Sequence, residues 1–335
     1  MDLFRRWVAV LLLGSSLTSA LALEKVARNP YLGAIVIDDA SGRVLYEDNA
    51  DARGYPASVT KLMTFFVVMD KVHAKQLTLD TPITVSAEAS RTGGSQVYLK
   101  QGEVFTVDDL LYALMIQSAN DAAVALAVHA AGSKEAFVEL MNAKARQLGM
   151  ANTTFHSPHG LPPGKGQSVD TTTARDLAVL SRELINHGYI LRYSAVKERA
   201  FREVSSQPFI MRNHNHLLGK LAGCDGLKTG YFTAAGYSLS ATVERNGRRI
   251  IAVVLGSEDS KTRDFKVMEL VEKGFAALPA ALPTGKTPSA PTKPAVAPAR
   301  PGEIPTVKTD KSAEQTSTPK DPVVRFRVIP PEKKP

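Results

Sequence analysis

Residues 56–73 read Pro-Ala-Ser-Val-Thr-Lys-Leu-Met-Thr-Phe-Phe-Val-Val-Met-Asp-Lys-Val-His. Pro56-Ala57-Ser58 opens a helix that the spacing carries through about Lys71. Leu62, Phe65, Phe66 and Met69 recur with helical period, and Met63, Val67 and Val68 make the segment apolar nearly all round. Such a helix belongs in the middle of a domain, wrapped by other elements. Outward from it, α and β patterns mix. Residues 32–38 and 43–47 flank Asp39-Ala40-Ser41-Gly42, a β-hairpin signal. Thr106 caps a helix through Met115, another runs from Asn120 to Ala131, Ser133 caps a third ending at Gly149, and a fourth spans 173–187. After Gly226 the period changes to that of strands, at 236–244 and 249–256 about an Asn246-Gly247 turn, and an amphipathic helix follows over 263–278. The expectation is an α+β fold, an antiparallel sheet covered by helices.

The chain has 335 residues, of which 44% are hydrophobic and 22% charged, so wholesale disorder and a polytopic membrane protein are not expected. Its 41 Lys+Arg against 33 Asp+Glu give +8. Ten basic and five acidic residues fall in 278–335, and residues 23–277 are left with only +2. The excess sits on a tail and not on a folded groove, so no nucleic-acid partner is expected. The single cysteine, Cys224, excludes an internal disulfide and argues against a Cys-based zinc site.

Residues 1–22 have the pattern of a secretory signal: Arg5-Arg6, the apolar run Trp7 to Leu13, then Ala20-Leu21-Ala22 before the cleavage site. The run is short of the ~20 residues that span a bilayer, so the expectation is an exported, periplasmic or wall-associated protein without a retained transmembrane helix. Residues 278–335 hold 13 of the 20 prolines and should form an extended, mobile tail. Its net +5 suits weak contact with anionic membrane or wall surfaces, and Val323 to Ile329 (VVRFRVI) is a candidate added strand. Residues 23–277 remain as one domain, large enough for a substantial core.

A serine hydroxyl is a poor nucleophile until a neighbouring base takes its proton. Ser-x-x-Lys at a helix start is one solution, because residues three apart share a face. Alone the pattern is weak: Ser58-Val59-Thr60-Lys61 fits it, but so do Ser194 to Lys197 and Ser317 to Lys320. Combination sharpens it. Ser-x-Asn occurs once, at Ser118-Ala119-Asn120, and Lys-Thr-Gly once, at Lys228-Thr229-Gly230, where composition allows on the order of 0.1 chance copies. That order of three motifs is the arrangement of penicillin-binding proteins and class A β-lactamases, and only Ser58 stands upstream of both partners with an apolar helix behind it.

The chain resembles the low-molecular-mass penicillin-binding proteins, the serine D-alanyl-D-alanine carboxypeptidases of peptidoglycan metabolism. The likeness extends through most of 30–277, in residues 56–64, Ser157-Pro158-His159-Gly160-Leu161, Thr172-Thr173-Ala174-Arg175-Asp176, residues 213–218, and Asp225-Gly226-Leu227-Lys228-Thr229-Gly230. It implies a β-lactamase/transpeptidase-like fold, a five-stranded antiparallel sheet flanked by helices. It also implies that Ser58 is the nucleophile and Lys61 its base, with Lys228 lowering the Lys61 pKa, and that Ser118 relays a proton to the leaving D-alanine. By the same resemblance Asn120 holds the substrate backbone, Tyr231 follows Lys228-Thr229-Gly230 as the second oxyanion N–H, and Thr229 and Arg263 grip the terminal carboxylate. For Arg263, seven residues past Gly256, an ion-paired surface arginine is the competing reading. Many members add a β-rich domain and an amphipathic membrane helix; a proline-rich tail stands in their place here.

Other candidates carry less. His214-x-His216 lacks an evident third metal ligand, His156 and His159 sit in a Pro/Gly-rich loop, and Cys224 reads as a small packing residue. No metal, nucleotide or other cofactor is expected. The expected partners are peptidoglycan stem peptides and β-lactams. The first reading is a carboxypeptidase that removes terminal D-alanine from stem pentapeptides. An endopeptidase cutting D-alanyl cross-links would use the same site. A β-lactamase needs an added carboxylate, and the nearest pattern, Glu183-Leu184-Ile185-Asn186, has the wrong spacing and falls on a helix. A non-catalytic receptor for wall peptides or β-lactams is the remaining alternative.

Overall fold

The structure, a computed structural model, describes residues 23–164, 166–202 and 208–279. The expected secretory signal, nearly all of the proline-rich tail and the Ser317 to Lys320 match lie outside the described residues. In chain order the elements are β1 (Gly33–Asp38), β2 (Val44–Asp48), a 3-10 turn (Ala57–Thr60), α1 (Lys61–His73), β3 (Pro82–Thr84), α2 (Ala87–Ser90), β4 (Val104–Thr106) and α3 (Val107–Met115). They continue with α4 (Asn120–Ala131), α5 (Lys134–Gln147), α6 (Ala174–Asn186), α7 (Ile190–Ser194), β5 (Glu198–Phe201) and β6 (Phe209–Arg212). The last are β7 (Cys224–Phe232), β8 (Gly236–Arg245), β9 (Arg248–Ser257) and α8 (Ser260–Ala277).

Five strands form one antiparallel sheet in the order β2-β1-β9-β8-β7. Its two faces feed two cores, as the period of two demands. Ile35 and Ile37 of β1, with Ile251, Val253 and Leu255 of β9, face the helical lobe. Ala34 and Val36, with Ile250, Ala252 and Val254, face the other way, onto Val267, Leu270 and Val271 of α8. Residues 250–255 therefore read as an unbroken apolar run because both faces are covered. The β8–β9 hairpin closes on Asn246 and Gly247, both at positive φ (52° and 70°), the conformation that a two-residue turn matching strand twist requires.

The helix over α1 is as central as its sequence implies. Leu62 to Met69 are all buried, and α3, α4, α5 and α6 surround it. Hydroxyl and carboxylate caps set the helix starts: Thr106 and Asp109 form a capping box on α3, while Ser133, Thr173 and Asp259 accept from Ala136, Asp176 and Thr262 N–H on α5, α6 and α8. Two expectations need correction. The segment from Ala57 to Thr60 is 3-10, and the α-helix starts only at Lys61. The C-terminal helix starts at Ser260, three residues before Arg263, because Asp259 caps it. Two small two-stranded sheets, β3–β4 and β5–β6, have strands of three and four residues, too short for an alternating pattern to declare itself. Among the described residues no helix is long and apolar enough to cross a membrane.

The backbone of α8 lies almost on the sheet at Gly274, where a Cβ would stand 2.7 Å from Val36 Cγ1 and 2.9 Å from Ile250 Cδ1. Both neighbours are held in the second core, so Gly274→Leu should overpack it and lower stability by about 1–3 kcal/mol. Urea unfolding of the two proteins checks this; equal midpoints would show that the helix can shift freely.

Candidate active site

The three motifs converge on a cleft of about 460 Å³. The 3-10 turn brings Ser58, the entry to α4 brings Ser118 and Asn120, and β7 brings Thr229, Gly230 and Tyr231, while His214 and Arg263 complete the wall. A 3-10 helix repeats every three residues, so Ser58 and Lys61 eclipse each other more closely than α-helical spacing would allow. Gly230 explains part of the third motif. A Cβ there would lie 3.1 Å from Ser58 N and 3.0 Å from Val59 Cγ2 and would collide with Pro56 O, so only glycine lets β7 lie against the serine's turn.

Lys61 is fully buried, and its Nζ makes three contacts: Ser58 Oγ at 3.1 Å, Asn120 Oδ1 at 2.7 Å and the His159 carbonyl at 2.7 Å. Desolvation holds its pKa well below the ordinary lysine value, and the Lys228 charge lowers it further against Asp170 and Asp121. Lys228 is also buried, with Nζ donating to Thr229 O at 3.1 Å; burial and then Arg263 bring its pKa down to about 7. Burial and nearby lysines keep His159 and His214 neutral, at about 3 and about 4. The cleft can thus hold an uncharged amine next to a serine hydroxyl.

The remaining expected residues divide. Ser118 Oγ is buried without a hydrogen-bond partner, and its backbone stands at φ 59°. Asn120 is already engaged: besides accepting from Lys61, its Nδ2 donates to Gly93 O at 2.8 Å. Thr229 is buried in the wall, whereas Tyr231 is 51% exposed and stacks on Tyr237 with ring centroids 4.0 Å apart. Arg263 is ion-paired, through Nε and Nη2 to Asp264 Oδ1 at 2.9 and 2.6 Å, but it is buried and not on the surface. Cys224 is half-buried, packs on the second core and has its thiol pKa pushed up by burial. Ser194 donates to Asp225 O, which accounts for that Ser-x-x-Lys match structurally. Glu183 lies on α6 and does not line the cleft.

Sequence reasoning missed the His159 carbonyl and the buried Asp170 behind it. Backbone acceptors leave no residue-type signal. Asp170 stands nine residues past Leu161, in a segment without helical or strand period.

The sheet order, the Ser-x-x-Lys turn and the two buried amines define the class, a penicillin-binding serine peptidase of the β-lactamase-like type. The model of the D-alanyl-D-alanine carboxypeptidase family matches residues 29–259, and the chain belongs to that family. It is 34% identical over 281 residues to D-alanyl-D-alanine carboxypeptidase DacF of Bacillus subtilis, covering 81% of this chain and 71% of that one. It is 40% identical over 269 residues to DacC of Escherichia coli, covering 77% of this chain and 65% of the relative. Among solved structures, ampicillin-bound penicillin-binding protein D2 of Listeria monocytogenes superposes with a TM-score of 0.66 at 33% identity, covering 73% of this chain and 97% of that one.

A buried amine with a lowered pKa costs stability wherever the unfolded chain would hold its proton. For Lys228 that penalty is complete below about 7 and fades as pH rises toward the ordinary lysine value. Lys228→Met should therefore be more stable than the parent at pH 6, by up to about 5 kcal/mol at roughly 1.4 kcal/mol per pKa unit. The gain should shrink toward pH 10. Denaturant unfolding at both values checks it, and a gain independent of pH would contradict the assignment.

Proposed function

We propose that this protein is an exported serine D-alanyl-D-alanine carboxypeptidase, with residues 23–277 as its catalytic domain, that removes the terminal D-alanine of peptidoglycan stem pentapeptides. The observation that carries the reading is the Lys61 amine, buried and in hydrogen-bond reach of Ser58 Oγ. A neutral amine has two N–H bonds and one electron pair. Asn120 Oδ1 and the His159 carbonyl, which only accept, take the two N–H groups and leave the pair facing the serine. Lys61 then removes the Ser58 proton as the oxygen attacks the penultimate D-alanine carbonyl.

The developing oxyanion meets the N–H groups of Ser58 and Tyr231. Ser118, whose hydroxyl is uncommitted, passes a proton to the leaving D-alanine nitrogen. β7 is an edge strand, so an extended stem peptide can lie beside Thr229 and Gly230. Asn120 donates one N–H to Gly93 and keeps the second for the substrate backbone, while Thr229, Arg263 and the Lys228 charge draw in the terminal carboxylate. Water then hydrolyses the acyl-enzyme. Penicillin enters the same path and stays, because among the described residues that line the cleft none is a carboxylate to activate water against it. That composition favours a peptidase over a β-lactamase.

Labelled penicillin should mark Ser58 and no other serine, as read by peptide mapping. Lys61→Arg should abolish acylation, since guanidinium keeps its proton. Acylation of the parent should fall at low pH as Lys61 takes a proton, and again above about 7 as Lys228 loses one. Lys228→Arg, permanently charged, should retain partial activity and lose the alkaline fall. Label elsewhere, or equal rates in the two variants, would contradict these roles. Digestion of purified muropeptides with mass readout separates the carboxypeptidase, which shortens pentapeptides, from an endopeptidase, which splits cross-linked dimers.

A further inference from the structure

The stretch that offers its carbonyl to Lys61 lies between two cavities. Leu161 lines the cleft, while Ser157, Pro158 and His159 line a second cavity of about 350 Å³ that reaches Lys134 and Val138 of α5. Between the two cavities, His159 O must stay 2.7 Å from the amine. A buried carboxylate ties this loop down. Asp170 is 4% exposed, and Oδ1 accepts from His156 N at 2.6 Å and Ser157 N at 3.0 Å. Its Oδ2 accepts from Ser157 Oγ at 3.1 Å and from Thr60 Oγ1 at 2.9 Å. Thr60 immediately precedes Lys61. Ser157 Oγ in turn accepts from Gly160 N at 2.8 Å, and Thr64 of α1 donates to Pro158 O at 2.6 Å. One carboxylate thus joins the turn that carries Ser58 and Lys61 to the loop that carries the His159 carbonyl.

We propose that Asp170 is a positioning residue for the reaction: by tying Thr60 to the Ser157–Gly160 turn it fixes the His159 carbonyl on the Lys61 amine, so that the amine's electron pair stays aimed at Ser58. The inference rests on Lys61 being the base. If the carbonyl drifts, the amine can rotate, and its pair faces the serine in only part of the population. The charged and titratable groups around Lys61 are Lys228 from β7, Asp121 from α4, Asp170 itself, and the neutral His159 and His214. Asp170 raises the Lys61 pKa by its charge. Its neutralisation should therefore let the amine lose its proton at lower pH, and loss of the carbonyl acceptor acts in the same direction.

The test is single-turnover acylation by a fluorescent penicillin, with rate constant and labelled fraction recorded separately across pH 5 to 9, for Asp170→Asn, Thr60→Val, Thr60→Ser and Lys61→Arg. Misplacing the amine should cut the rate constant of Asp170→Asn about 10- to 100-fold and move its acid limb to lower pH. Thr60→Val removes the tie without removing the charge, so it should slow acylation with a smaller shift of the limb. Thr60→Ser, which keeps the hydroxyl, should restore the parent rate. Should Asp170→Asn fold poorly, the nearly isosteric Thr60→Val decides. A reduced labelled fraction with rate constants within about twofold of the parent would overturn the proposal. So would a slower rate with an unmoved acid limb in Asp170→Asn, which assigns a merely structural role. Parent-like acylation by Lys61→Arg would instead overturn the reading of Lys61 as base, a distinct failure.

Discussion

Two primary amines kept out of water side by side are the constraint on which the cleft depends. Lys61 is fully buried and Lys228 nearly so, and a charged ammonium in such a place would cost several kcal/mol of lost hydration. The protein relieves that cost by lowering both proton affinities. The same shift lets an amine that would ordinarily hold its proton give it up more readily. Burial of this kind needs a rigid wall on every side. α1 supplies one because it is apolar nearly all round and rooted among α3, α4, α5 and α6. β7 supplies the other as part of a sheet that is packed on both faces.

Bringing those walls together requires backbones to touch, and glycines mark where they do. Gly230 lets β7 close on the serine's turn, and Gly160, at φ 77°, lies where a Cβ would collide with Ala57 O. The first closes the cleft from the sheet side and the second from the loop side. Both approaches lie within a few residues of a group that touches Lys61 or Ser58, so a side chain at either position would move Lys61 and Ser58 apart.

The longer helices and strands β8 and β9 were legible in the sequence because their signals are local, whereas β7, which carries Lys228, was not read as a strand. Thr106, Ser133 and Thr173 announce their helices by capping chemistry, and Asn246-Gly247 announces its hairpin by backbone sign. The convergence of Ser58, Ser118 and Lys228 could be anticipated only from the combination of motifs, since none is close to another in the chain. The 3-10 form of 57–60 was not legible: its first residue, Ala57, stands at φ 48°, a conformation that neighbours impose and composition does not report. Nor was the engagement of Asn120 with Lys61, which depends on where α4 starts relative to α1. Asp170 escaped for a similar reason. Its four donors come from Thr60, His156 and Ser157, which only the folded chain gathers.

Two of the residues held at positive φ stand beside the hydroxyls of the cleft. Ala57 precedes Ser58 at φ 48°, and Ser118 itself stands at φ 59°, a region that costs an L-residue roughly 1–2 kcal/mol. Both are held by groups outside their own turns. Ala57 is backed by the Gly160 loop, and Ser118 is followed by bonds from Ala119 N to Ala113 O and from Asn120 N to Ser95 O. A relaxed Ser118 would swing its hydroxyl elsewhere, and a relaxed Ala57 would carry Ser58 off the lysine. The strain, the uncommitted hydroxyl and the two buried amines all oppose stability, and all face one cleft. The doubly covered sheet and the saturated apolar surround of α1 are what offset them. Stabilising the cleft by easing any of these features would therefore work against the chemistry.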